Sequence, residues 1–296
     1  MKNSIAQVAT ITAILLSAAG ISIPAQAEAP EALPNVVSVQ APKIFQTKAA
    51  AGKPASQTSN LTYHGGPVMT NPVQITPIYW GQKWNDATFA SDKVSGLATL
   101  YRDYDNSAHA GISTQYYQGS SLSPIYTSKR VSLFTEKIDK TTTASSKTAD
   151  VLNEVVKVVG FDSLSNDGYY PVYTDLPRGT AGYCAWHSAG TVSSNGQSKV
   201  IKFAFFFSLD GDGGCDPSDS QTVYTQGTEA LANVSIHELA EAMTDPQLNA
   251  WYDKTGYENA DKCAWKFTNA GVTLGSSGYA WRIQGEWDNK TASCKW

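Results

Sequence analysis

No cluster of lysine and arginine and no basic amphipathic helix occurs anywhere in the sequence. With 22 basic residues against 26 acidic ones and a net charge of −4, nothing attracts nucleic acid or an anionic membrane, and neither is expected as a partner. Charge of either sign is scarce, at 16% of residues. Cysteine is absent before position 184 and no CxxC pair occurs, which argues against a thiolate zinc site. No GxSxG elbow accompanies Ser188 or Ser235, although each has a histidine nearby in sequence, so a serine hydrolase is not expected. Internal repeats are missing as well.

What is present begins with an export signal. Lys2 precedes the apolar run VATITAILLSAAGISI, then Pro24 and the small-residue triplet Ala25-Gln26-Ala27, so residues 1–27 read as a cleaved signal peptide and the protein as secreted, extracellular or periplasmic. A membrane anchor would need roughly 20 uninterrupted apolar residues, and no later stretch supplies them. An even set of cysteines in an exported chain implies two disulfides. Cys184, Cys215, Cys263 and Cys294 allow three pairings; the local one closes two loops of moderate length, each restricting the unfolded chain by roughly 3–4 kcal/mol. Residues 28–59, rich in Ala, Pro, Lys, Gln and Ser, lack lasting periodicity and read as a flexible leader or short pro-segment. Residues 60–296 read as a single domain.

Within that domain, Val94, Leu97, Leu100, Tyr101 and Tyr104 recur at helical spacing, as do Val151, Leu152, Val155, Val156 and Val159 before Gly160. Strand-like runs are Val73–Trp80, Gln115–Gln118, Ser123–Phe134, Tyr169–Tyr173, Thr180–Trp186, Val200–Phe207 and Tyr279–Trp287. Mixed without a strict βαβ repeat, they predict an α+β fold with a mixed β-sheet and packed helices.

The chemistry concentrates in HELAEAMTDP, His237 to Pro246. Thr228–Asp245 is helix-forming, and Pro246 forbids continuation. The stretch starts like the zinc-peptidase signature HExxH, with Glu241 in the second histidine's place. His237 and Glu241, one turn apart, can reach one zinc ion. Asp245 lies about 12 Å from His237 along the axis and cannot join them. The third ligand is therefore sought in WYDKTGYENADKC, where Glu258 ranks before Asp261 and Asp253 is a further acid. Glu238 is left as the base that takes a proton from metal-bound water. The result is a zincin-like active-site helix in a metal-dependent hydrolase, most simply a peptidase acting on peptide or protein chains. The bland alternative is a solvated charged face, with Asp245 bonding local backbone.

Elsewhere, His64 in YHGGP and His187 in YCAWHS are single histidines, for which a structural role is the better assignment. SLDGDGGCDP, with Asp210, Asp212 and Asp216, hints at calcium but lacks the acid that closes an EF-hand, and a tight turn held by Cys215 is preferred.

LTYHGGPV, IYWGQKW, YCAWHS, IKFAFFF, TDPQLNAWYD and the closing TASCKW resemble the EXORDIUM, or phosphate-induced protein 1, family from about Leu61 to Trp296. The resemblance implies a secreted, cell-wall-associated domain without an assigned enzymatic activity, so a non-catalytic protein binding wall glycan or a partner is the alternative. The plant pattern keeps histidines like His64 and His187 but not the HE segment. HELxExxTDP followed by AWYDxxGxExxDxC resembles a bacterial branch that departs towards metal chemistry.

Overall fold

The structure is a computed structural model that describes residues 34–51, 59–218 and 223–296. The signal-like segment 1–27 lies outside the described residues. Among the described residues, nine strands build the main sheet: β1 (Asn35–Val39), β2 (Lys43–Gln46), β3 (Val73–Ile75), β4 (Ile78–Trp80), β5 (Val131–Leu133), β6 (Lys137–Asp139), β7 (Gly168–Pro177), β8 (Tyr183–Ser194) and β9 (Gln197–Ser208). The long β7, β8 and β9 form its centre. β9 runs parallel to β7 and antiparallel to β8, so the sheet is mixed as expected. The apolar Ile201–Phe207 run is buried throughout, as a strand covered on both faces requires. Pro77 splits the 73–80 run into β3 and β4, both parallel to β7, with β5 and β6 beyond them.

The 123–134 and 279–287 runs also divide. They give Ser123–Tyr126 and β5, and Ala280–Trp281 and Glu286–Asp288. At the latter break Gly285 packs against the Lys295 carbonyl, where a Cβ would stand 2.6 Å from the oxygen. The Gln115–Gln118 run starts later than expected, as the strand Tyr117–Ser120, because Ser113–Gln115 closes a 3₁₀ turn.

Of the expected flexible leader, residues 34–51 carry two strands, and residues 28–33 and 52–58 lie outside the described residues. β1 and β2 pair antiparallel along the outer edge of β8, with Val39 opposite Gly190 and Lys43 opposite His187. The edge of β8 offers unpaired backbone groups that a short, weakly apolar segment can satisfy without any periodic pattern of its own. Phe45 supplies the one deeply buried aromatic anchor of this segment.

Three long helices cover the sheet: α1 (Lys93–Tyr104), α2 (Thr148–Val159) and α3 (Gln226–Thr244). Successive strand residues face opposite sides. Gly190 faces α2 so closely that a Cβ would lie 2.4 Å from the Leu152 methyl, while His187, three residues earlier, faces α3. Both cysteine pairs are local: Cys184–Cys215 and Cys263–Cys294. The first ties β8 to the loop after β9, and the second pins the 258–263 segment.

Candidate functional site

Helix α3 begins where the Asp92 carboxylate accepts hydrogen bonds from the Thr225 amide, at 2.7 Å, and from the hydroxyls of Thr225 and Thr228, at 2.6 Å. A carboxylate there complements the positive end of the helix dipole. At the other end, Asp245 Oδ1 accepts from the amides of Asn249 and Ala250, both at 2.6 Å, so this acid serves the turn after Pro246. Gly227–Thr244 is buried on every side. The solvated-face alternative is thereby overturned: His237, Glu238 and Glu241 are enclosed, because α3 is sandwiched between the sheet, α1 and the C-terminal loops.

The sequence-derived residues come together. His237 Nε2 lies 3.2 Å from Glu241 Oε1 and 3.6 Å from Asp261 Oδ1. The Asp261 amide donates to Glu241 Oε1 at 2.9 Å, which locks the downstream loop to the helix. Glu258 reaches the same volume from that loop, its Oε1 3.7 Å from His187 Nε2. His187 is the residue that sequence reasoning assigned to a structural role. Its Nδ1 stands 3.0 Å from Glu238 Oε2 and 3.5 Å from Glu241 Oε2. His187, Glu241 and Glu258 form one set of ligand atoms all within 4.8 Å of one another, and His237, Glu238 and Glu241 form a second. Several of these atoms have no hydrogen-bond partner among the described residues: both oxygens of Glu258, Glu238 Oε1, His187 Nε2 and His237 Nε2.

Charge is unbalanced here. Burial first, and then neighbouring carboxylates, push Glu238 and Glu258 well above the usual carboxylate range. Burial likewise raises Glu241, and raises Asp261 to about 7. Burial lowers His187 to about 3 and His237 to about 4. The Lys43 ammonium from β2 favours the ionised forms of Glu241, Glu258 and Asp261, and its Nζ donates to the Gly256 carbonyl at 3.2 Å. Phe45, on the same strand, lies tilted against the His237 ring with centroids 4.0 Å apart and stacks on Trp265 at 4.9 Å. Beside this cover runs a cleft of about 420 Å³, lined by Lys43, Phe45, Tyr257, Asp261, Trp265 and Lys266. Asp261 belongs to both cleft and cluster.

The remaining candidates lie apart. Asp253 Oδ1 accepts from the Thr255 amide and hydroxyl and the Tyr257 amide, and Oδ2 pairs with Lys262 at 3.3 Å, so this acid shapes the turn. His64 is exposed, stacked on Tyr252 at 3.6 Å. Asp210 pairs with Lys93, Asp212 with Arg178, and Asp216 with the Ser218 amide, each separately. Ser188 donates to the Gln40 carbonyl, and Ser235 meets the Tyr173 hydroxyl. No signal in the sequence paired His187 with Glu238, since 51 residues separate them and only the sheet register brings them together. No protein-family model matches the chain, and no curated protein matches it.

Proposed function

We propose that this cluster holds a divalent ion, zinc by its nitrogen and carboxylate donors, and that the protein is a secreted metal-dependent hydrolase acting on peptide or protein chains. One observation carries the reading: buried imidazole atoms stand 3.2–3.7 Å from the buried carboxylates of Glu241 and Glu258 and the half-buried one of Asp261 without hydrogen-bonding them. Two donors each about 2.0–2.2 Å from a tetrahedral ion lie roughly 3.3–3.6 Å apart, so the spacing suits a shared cation better than direct contact. Buried carboxylates without countercharge are costly, and a dication supplies the missing charge.

Glu241 and Glu258 would hold the ion together with imidazole, His237 in the terms of the HExxE motif, with Asp261 at the rim facing the cleft. A bound zinc lowers the pKa of its water towards 7 and polarises a carbonyl. Glu238 then has two tasks: Oε2 engages His187, and the free Oε1 takes the proton from water and passes it to the leaving amine. An additional carboxylate in place of imidazole lowers the ion's net charge, so turnover is expected to be slower than at a two-histidine site of the same kind. The two disulfides are consistent with an oxidising, extracellular setting, and among the described residues no helix is long and apolar enough to cross a membrane.

The test is Glu238→Gln, assayed on a quenched-fluorescence peptide library alongside metal analysis. Metal retained with cleavage reduced by 10²-fold or more is expected; unchanged cleavage overturns the role of Glu238. The second reading, a non-catalytic wall-binding protein of the phosphate-induced protein 1 kind, is favoured by the exposed Leu122, Ile125 and Tyr126 on the Tyr117–Tyr126 hairpin. Binding to insoluble wall glycan that is lost in Tyr126→Ala, with no cleavage of any peptide, would support it.

A further inference from the structure

The helix motif lacks the second histidine of HExxH, and β8 brings an imidazole to the place where one is needed. We propose that His187 binds the ion through Nε2, together with Glu241 and Glu258, and that Glu238 orients it from behind. This inference rests on the metal-site reading above.

His237 and His187 differ in which ring nitrogen is free. Gln284 is held by its own backbone, whose amide donates to Asn233 Oδ1 at 2.9 Å. Its side-chain Nε2 lies 2.8 Å from the Ala260 carbonyl, while its Oε1 receives the Trp265 amide at 3.4 Å. A carbonyl can only accept, so the amide nitrogen must face Ala260. That same nitrogen faces His237 Nδ1 at 2.9 Å. His237 Nδ1 therefore accepts, and the neutral ring carries its proton on Nε2, the atom that points at Glu241. To ligate, His237 must give up that proton or turn its ring, breaking the Gln284 contact or the ring contact with Phe45.

His187 needs no such change. Its Nδ1 meets Glu238 Oε2 at 3.0 Å; with an ion on Nε2, the ring proton sits on Nδ1 and is donated to Glu238. Nε2 has no hydrogen-bond partner among the described residues, is buried, and faces Glu258 Oε1. A carboxylate behind the distal nitrogen fixes the tautomer and raises ligand basicity, which is the usual support for a metal-bound histidine. Lys43 pairs with His187 across β2 and β8, so the backbone on both sides of the ligand is held in register.

The experiment loads wild type, His187→Asn and His187→Cys with cobalt(II), with disulfide content and circular dichroism as folding controls. Loss of an outer partner of a ligand costs about 10–100-fold in affinity; loss of the ligand itself should weaken binding by more than 100-fold in His187→Asn. His187→Cys should retain cobalt and show a thiolate-to-cobalt charge-transfer band absent from wild type, which a structural role would not produce. Binding within 100-fold of wild type in His187→Asn, or cobalt without that band in His187→Cys, overturns the assignment. Should both variants misfold, the wild type decides: loaded with a spin-active cadmium isotope, it should show scalar coupling between the ion and His187 Nε2. Bound cadmium without that coupling overturns the inference alone, whereas a wild type that takes up no ion overturns both it and the metal-site reading.

Discussion

Glu258→Gln should change sign with the metal. In the metal-free protein both Glu258 oxygens are buried without a donor, and the charges of Glu241 and Asp245 add to the penalty. An unsatisfied buried polar group costs about 1–3 kcal/mol, and more when charged. Replacing the carboxyl by a neutral amide of the same shape removes the cost of burying its charge or of taking up a proton to avoid it, so stability at neutral pH should rise by about 1–3 kcal/mol. For a domain of this size that is roughly 2–12 °C in melting temperature, at about 2–4 °C per kcal/mol. With zinc in excess the order reverses. An ion at 1,000 times its dissociation constant stabilises the native state by about 4 kcal/mol, which the variant forfeits with its ligand. Differential scanning fluorimetry at one pH, with chelator and then with added zinc, reads both arms. A variant less stable than wild type under chelator, or equally shifted by zinc, would refute the reasoning.

Two further perturbations test the surroundings. Glu154 is raised to about 7, chiefly by burial, with Lys157 at 3.0 Å opposing the shift. Its folded-state pKa lies above its unfolded value, so the native state holds the proton more tightly and loses stability as pH rises from about 4.5 through 7; Glu154→Gln should therefore gain about 1–3 kcal/mol at pH 8 in urea titrations and nothing at pH 4. Phe45→Ala removes the ring that packs against His237 and Trp265, and should cost about 3–5 kcal/mol in chemical denaturation while speeding chelator-driven metal loss in stopped-flow; unchanged release would mean that β2 does not guard the site.

Where local composition decides structure, the sequence was legible. Helix α3 follows from its Ala, Leu and Glu content and from Pro246, and the helical rise alone placed Asp245 beyond ligand reach of His237; its Oδ1 bonds the turn, while its charge acts on Glu258. The same distance argument directed attention to Glu258 and Asp261, which the structure brings to the helix face. Where strand register decides, it was not. His187 reaches Glu238 because β8 lies beside β9 under α3, a non-local consequence of pairing that no spacing in YCAWHS encodes. The leader strands hold by backbone bonds to an edge, which are indifferent to side-chain pattern. Nor could charge pattern tell a solvated helix face from an enclosed one, since packing of the sheet, α1 and the C-terminal loops determines that burial.

The central claim is that the buried acids around α3 exist to hold an ion. Elemental analysis of the purified protein after dialysis against metal-free buffer tests it most directly. The account predicts about one equivalent of zinc per chain in wild type and little or none in Glu241→Gln, both folded with their disulfides formed. A wild type carrying no divalent metal, and taking none up on addition, would contradict it.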